Sequence, residues 1–259
     1  MVRGLYTAGS GMMLQMAKQD ALSNNIANVN SAGYKKSVTV SKAFPEMLIA
    51  RIGEEEKTNY ATYLPKRPEI IGVLGTGAAL GGVYTDYDVG HFKKTDVTTD
   101  FAIGHEAGFF VVETPQGEAF TRDGQFKLTP DLMLTDNNGF PVLDIYDDYI
   151  YMEHDDIAVD SNGIISTDGD ELTQFKIVQF EDNNELDKIG SNLFTTAVAY
   201  EELENPGLVQ GFIEESNVNA VQEMVNLINV VRNYEALQKV INAEDELMGV
   251  AIDKVASTM

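Results

Sequence analysis

The sequence predicts an α+β fold, in which N- and C-terminal helices pair into a coiled-coil-like assembly domain and a central all-β domain is inserted between them. Three patterns predict it. Apolar residues recur three or four apart through the first 28 residues, and at an average spacing nearer 3.5 than 2 from residue 221 onward. The stretch between consists of short β-prone runs punctuated by turn dipeptides.

At the N-terminal end, Leu5, Ala8, Met12, Met16, Leu22 and Ile26 fall at helical spacing, with Gly4, Gly9 and Gly11 as the weakening residues. Asn28, Asn30, Ser31 and Gly33 supply turn formers and a residue that tolerates positive φ, so the helix is expected to stop there. From 44 to 82, Pro45, Pro65, Pro68, the acidic run Glu54-Glu55-Glu56 and several glycines predict an extended connection. Next comes a predicted hairpin, Phe109-Phe110-Val111-Val112 returning through Pro115-Gln116-Gly117 into Ala119-Phe120-Thr121. Further tight turns are expected at Asp123-Gly124, Asn138-Gly139, Asn162-Gly163 and Asp168-Gly169.

The C-terminal helix has the strongest signal: Val221, Met224, Ile228, Val231, Tyr234, Leu237, Ile241, Met248, Ala251 and Val255 follow a coiled-coil period. Asn219 is the expected N-cap, with Gln222 three residues on. Running to Ser257 without proline, this helix would be roughly 58 Å long at about 1.5 Å per residue. The expected division is therefore 1–43 and 211–259 as the two halves of the helical assembly domain, 44–82 as linker and 83–210 as the β domain. Neither end helix can bury its apolar stripe on so small a β domain, so the stripes are expected to meet each other and then neighbouring copies.

Composition removes several function classes. With 41 acidic against 18 basic residues the net charge is −23, which repels nucleic-acid phosphates and anionic lipid headgroups. No cysteine is present, so thiolate catalysis, disulfides and Cys-ligated zinc are excluded. Gln15, Lys18, Gln19 and Asp20 interrupt the N-terminal apolar run before it could serve as a cleaved secretory core. No apolar run approaches the roughly 18 residues of a membrane span.

Catalytic and ligand motifs are equally sparse. His91, His105 and His154 are scattered, and although Glu153, Asp155 and Asp156 flank the last, a solvated acidic loop explains the same residues. The 160–171 segment fails as a calcium loop because Ile164 stands where Asp or Asn is needed. Gly75-Thr76-Gly77 lacks the third glycine of a dinucleotide fingerprint, where Leu80 stands, and reads as a loop. No catalytic residue, metal ligand or cofactor is nominated.

The most informative stretch is Ser23 to Asn30, where Asn24, Asn25, Asn28 and Asn30 crowd the end of an amphipathic helix. Asparagine is a mediocre helix former, so the cluster reads as amides that fix register between packed helices. With Asn30-Ser31-Ala32-Gly33-Tyr34-Lys35 it resembles the N-terminal signature of the bacterial flagellar rod and hook protein family. Glu214-Glu215-Ser216-Asn217-Val218-Asn219, Glu223-Met224-Val225 and Arg232-Asn233-Tyr234-Glu235 resemble the C-terminal one. Asp100-Phe101-Ala102-Ile103, Gly108 to Val112, Thr121-Arg122-Asp123-Gly124-Gln125-Phe126 and Gly139 to Leu143 carry the likeness through the middle. Gly104 to Gly108 departs from the family's tighter turn there.

The resemblance implies a non-enzymatic structural subunit of the flagellar basal body. It would be exported by the flagellar type III apparatus and placed in the rod outside the cytoplasmic membrane, with itself and other rod or hook subunits as partners. Room for only one β domain favours a rod protein over a hook protein. Phe44-Pro45-Glu46-Met47-Leu48 resembles the proximal-rod type, although the distal-rod type has similar size and ends. The residues expected at the assembly interface are Leu5, Met12, Leu22, Asn24, Asn25, Ile26, Asn28, Asn30, Gly33, Asn217, Asn219, Met224, Ile228, Val231, Tyr234, Ile241 and Met248. Residues 1–50 carry a net +3 and residues 210–259 a net −5, so the two ends should attract. The rival readings are an acidic cation-binding β domain or enzyme with helical oligomerisation arms, and a coiled-coil adhesin.

Overall fold

The computed structural model describes residues 2–44, 46–51, 56–57, 63–64, 69–152, 157–167 and 170–256, and within them two long helices flank a succession of strands. Helix α1 spans Val2–Ala27 and helix α2 spans Ala220–Ala256. The chain forms two compact units. The helical unit takes in Met1–Ala21, Thr39–Val83 and Val225–Met259, and the β unit takes in Leu22–Val38 and Tyr84–Met224.

In the helical unit, α1 and α2 run antiparallel. A Cβ added to Gly4 would collide with the Glu244 side chain, and one added to Gly11 would lie 3.1 Å from Leu237 Cδ1. Seven residues forward on one helix match seven residues back on the other, the repeat of a coiled-coil seam. Gly4 and Gly11, which cost helix propensity, thus sit where the helices approach closely. On α2 the shielded stripe is Leu227, Val230, Tyr234, Leu237, Ile241, Glu244, Met248 and Ala251, alternating steps of three and four. That period matches the sequence expectation in its second half. In the first half the stripe passes through Leu227 and Val230, and Met224 and Ile228 face outward.

The stretch from 44 to 82 is paired β structure where it is described. Ser37–Ala43 pairs with Ala78–Thr85, and Met47–Arg51 pairs antiparallel with Glu69–Leu74. Gly75-Thr76-Gly77 is a loop between strands, and Thr7 Oγ1 donates to the Thr76 carbonyl at 3.3 Å. Pro45, Pro65, Pro68, Glu54, Glu55, the acidic group around His154, the Asp168-Gly169 turn and the Val255 side chain lie outside the described residues.

The β unit is built on a six-stranded sheet in the order Asp187–Ile189, Leu193–Thr195, Gly117–Thr121, Phe109–Thr114, Ile177–Gln179, Glu201–Glu202. The predicted hairpin is its centre, with Ala119 opposite Val112 and Phe120 opposite Val111 around Pro115-Gln116. Side chains alternate across a strand. Phe110, Val112, Ala119, Ile177 and Leu193 therefore enter one apolar cluster, and Phe109, Val111, Phe120, Val178 and Phe194 enter a second on the opposite face. This is why Phe109-Phe110-Val111-Val112 is continuously apolar: both faces of the strand are covered. The edge strand Glu201–Glu202 is short and acidic, which blocks further pairing.

Candidate functional site

Among the described residues two features stand out, one in each unit. In the β unit, the segments that carry the N- and C-terminal signatures meet in a buried polar node. Glu214, at the end of strand Phe212–Glu214, is its centre. Its Oε1 accepts from Lys35 Nζ at 2.6 Å and from the Gly90 N–H at 2.9 Å, and its Oε2 accepts from Arg122 Nε at 2.9 Å. The three charged side chains are at most 1% exposed. Lys35 Nζ also donates to the Asp88 carbonyl, and Arg122 Nη1 to the carbonyls of His105 and Gly108.

Around this centre the main chain is pinned. The Gly33 N–H donates to the Glu214 carbonyl at 2.8 Å. Gly33 has φ +64°, and any Cβ there would strike the backbone of Arg122 and Asp123, so only glycine fits. Asn217 accepts from the Lys36 N–H at 2.8 Å and donates to the Asp86 carbonyl at 2.9 Å. Asn25 accepts from the Tyr34 hydroxyl and from the Ser37 N–H, and returns a bond to the Ser37 carbonyl. Its amide therefore closes a turn of its own segment, where the sequence suggested an amide against a facing helix. Lys188 Nζ sits 3.8 Å from the centre of the Tyr34 ring and donates to the Lys35 carbonyl.

Burial dominates the electrostatics. It pushes the Lys188 ammonium down to about 8. It also lowers Lys35, outweighing the attraction of Glu214. Nearby, burial raises the Asp123 carboxyl to about 6, against the hydrogen bonds from the Gln125 N–H, Asn137 and Asn192. One carboxylate facing two enclosed cations holds segments of chain together and offers no reacting group to solvent. Among the described residues no set of three histidine or acidic side chains converges on a metal position.

In the helical unit the notable feature is bare apolar surface. A groove of about 760 Å³ is lined by Leu5, Tyr6, Met12, Met13, Met16, Phe44 and Ile241 among others. On α2, away from the shielded stripe, Val225, Ile228, Val240, Leu247 and Val250 are exposed, Ile228 to 53%. On the strand Glu69–Leu74, Ile70 and Ile71 point to opposite faces and both are 63% exposed.

Of the residues the sequence singles out, Asn25, Gly33 and Asn217 come together in the node. Leu5, Met12 and Ile241 line the groove, and Tyr234, Ile241 and Met248 lie in the helix seam. Asn219 caps α2 by accepting from the Gln222 N–H at 3.1 Å. Asn24 and Asn30 are exposed, and Asn28 bonds back to the Asn24 carbonyl. Leu22, Ile26 and Val231 are half-buried, and Met224 and Ile228 are exposed. Sequence reasoning counted Lys35 and Glu214 only among the opposite charges by which the two ends should attract, and gave Arg122 no role. The available signal was their place inside the signature segments, next to turn glycines, in a chain otherwise poor in basic residues.

Comparison with known proteins covers the same segments. Residues 5–35 match the family model described as "Flagella basal body rod protein". Residues 105–167 match the flagellar hook protein FlgE/F/G D1 domain, and residues 209–254 match the flagellar basal body rod FlgEFG protein C-terminal model. The chain is 35% identical to the flagellar basal-body rod protein FlgG of Borreliella burgdorferi, over 97% of this chain and 98% of that protein. It is 33% identical to the flagellar hook-basal body complex protein FlhO of Bacillus subtilis, over 98% and 99%. It is 30% identical to the flagellar basal-body rod protein FlgF of Caulobacter vibrioides, over 98% of each chain.

Proposed function

The chain belongs to the flagellar basal-body rod protein family, and on that premise we propose that it polymerises through its terminal helices into a tube that carries torque from motor to hook. It is a structural subunit of the bacterial flagellar basal body. The bare apolar surface of the helical unit carries the polymerisation reading. Apolar side chains left bare along a groove and a helix face normally mark an interaction surface.

The groove on α1 and the outer face of α2 are different surfaces. Contact between unlike surfaces is heterologous, and repeated without closure it produces an open helical polymer. Leu5, Met12 and Ile241 would receive, Met224 and Ile228 would insert, and the node would hold the signature segments in shape. Passage through the flagellar type III apparatus and a purely structural, non-catalytic role belong to the same proposal; the enclosure of the node is what supports the second. The test is a clean deletion of the gene. Loss of swimming and of complete rods in isolated basal bodies is expected, restored by the intact gene; normal swimming with intact rods would overturn the reading.

A further inference from the structure

We infer that Leu22–Val38 is a strap that seats in, and leaves, a receptor on the β unit as one step, with Lys35 as the key that decides its position. The strap belongs to the β unit by contact, yet the 45 residues of Thr39–Val83 separate the two in the chain. Both apolar clusters of the β unit are built without it, since none of their members comes from 22–38. What holds the strap is a set of directed bonds, together with the burial of Ala32 and Tyr34 against the receptor. The receptor accepts the Gly33 and Lys36 N–H groups on the Glu214 carbonyl and Asn217, and donates to the Lys35 and Lys36 carbonyls from Lys188 and the Asp86 N–H.

The charge count leaves no ion without a partner in either position. With the strap seated, Glu214 faces two enclosed cations. With the strap withdrawn, the Lys35 ammonium regains water, while Glu214 keeps Arg122 Nε and the Gly90 N–H. Breaking a buried ion pair is severe when it strands a charge. Here neither partner is stranded. Burial already works against the charge on Lys35 in the seated form. Seating orders the last turns of α1 and the chain that follows, so the seated form is the one competent to assemble. That last link alone rests on the polymerisation reading, because the position of the strap is read on the monomer.

The test is hydrogen exchange on the full-length monomer, followed peptide by peptide. Lys35→Glu places a carboxylate against Glu214 and leaves the Arg122 pair intact. Amides of 30–37 are expected to exchange at least tenfold faster, while those of Phe109–Thr114 and Gly117–Thr121 keep their protection. If that variant fails to fold, Lys188→Met decides, with a several-fold rise confined to 30–37. A rise shared equally with the central strands, or no rise in either variant, would overturn the inference. A strap that behaves as expected in a chain that never forms rods would leave the seat standing and remove only its link to assembly.

Discussion

In the β unit, consecutive residues of strand Phe109–Thr114 are buried on both faces, whereas in the helical unit consecutive residues Ile70 and Ile71 of strand Glu69–Leu74 are bare on both. Charge divides the same way. The β unit holds 30 acidic and 8 basic side chains, and the helical unit 11 and 10. A covered core under a strongly acidic surface already has its apolar side chains out of water and repels its own copies. A nearly neutral unit with exposed isoleucine, leucine and methionine lacks that repulsion and still has apolar surface to remove from water. One half of the molecule buries its apolar side chains on folding; on the polymerisation proposal, the other half buries them against neighbours.

The contrast can be broken most forcefully in the β core. Phe110→Ala empties a fully buried site that packs on Phe126 and Phe175, and is expected to cost about 3–5 kcal/mol in urea unfolding. A loss below about 1 kcal/mol would show that the sheet is not the self-sufficient part.

Asp123 sharpens the contrast through pH. Its carboxyl lies at about 6 in the folded chain against an ordinary value of 3.8. A raised carboxyl binds its proton more tightly when folded. The stability it contributes is complete below about pH 4 and lost as pH rises through about 6. Asp123→Asn does not titrate, so between pH 4 and pH 7 its stability should improve relative to the parent by about 2.5 kcal/mol, at about 1.4 kcal/mol per unit of pKa difference. Denaturant midpoints at the two pH values check this.

A smaller effect is expected in the helix pair. Gly11→Val forces branched carbon into the space of Leu237, whose Cδ1 is already 3.1 Å from an added Cβ. Overpacking there should cost about 1–3 kcal/mol of stability, read as a lower thermal midpoint of the helical signal and partly offset by removing a helix glycine. An unchanged or higher midpoint would mean that the seam is loose.

Much of this was legible in the sequence. Both helices, the Asn219 cap, the Phe109 hairpin and the shared period of the C-terminal seam follow from spacing and turn chemistry, which act locally. The pairing of Met47–Arg51 with Glu69–Leu74 was not legible, because prolines and acids between them signal only a break. The node was hidden for a different reason. Lys35, Arg122 and Glu214 are far apart in the chain, and a lone charge in a strand or turn looks like any solvated one until the fold encloses it. Asn25 shows the limit most clearly: its burial could be inferred from an asparagine-rich helix end, but its partners, Tyr34 and Ser37, could not.

The division between a finished unit and an unfinished one is tested most directly by Ile228→Asp. The side chain is exposed in the single chain, so monomer stability should change by no more than about 0.5 kcal/mol. Sedimentation of the purified chain under conditions where the parent polymerises is expected to show monomers only, with unchanged circular dichroism. Polymers of normal length from this variant would contradict the account.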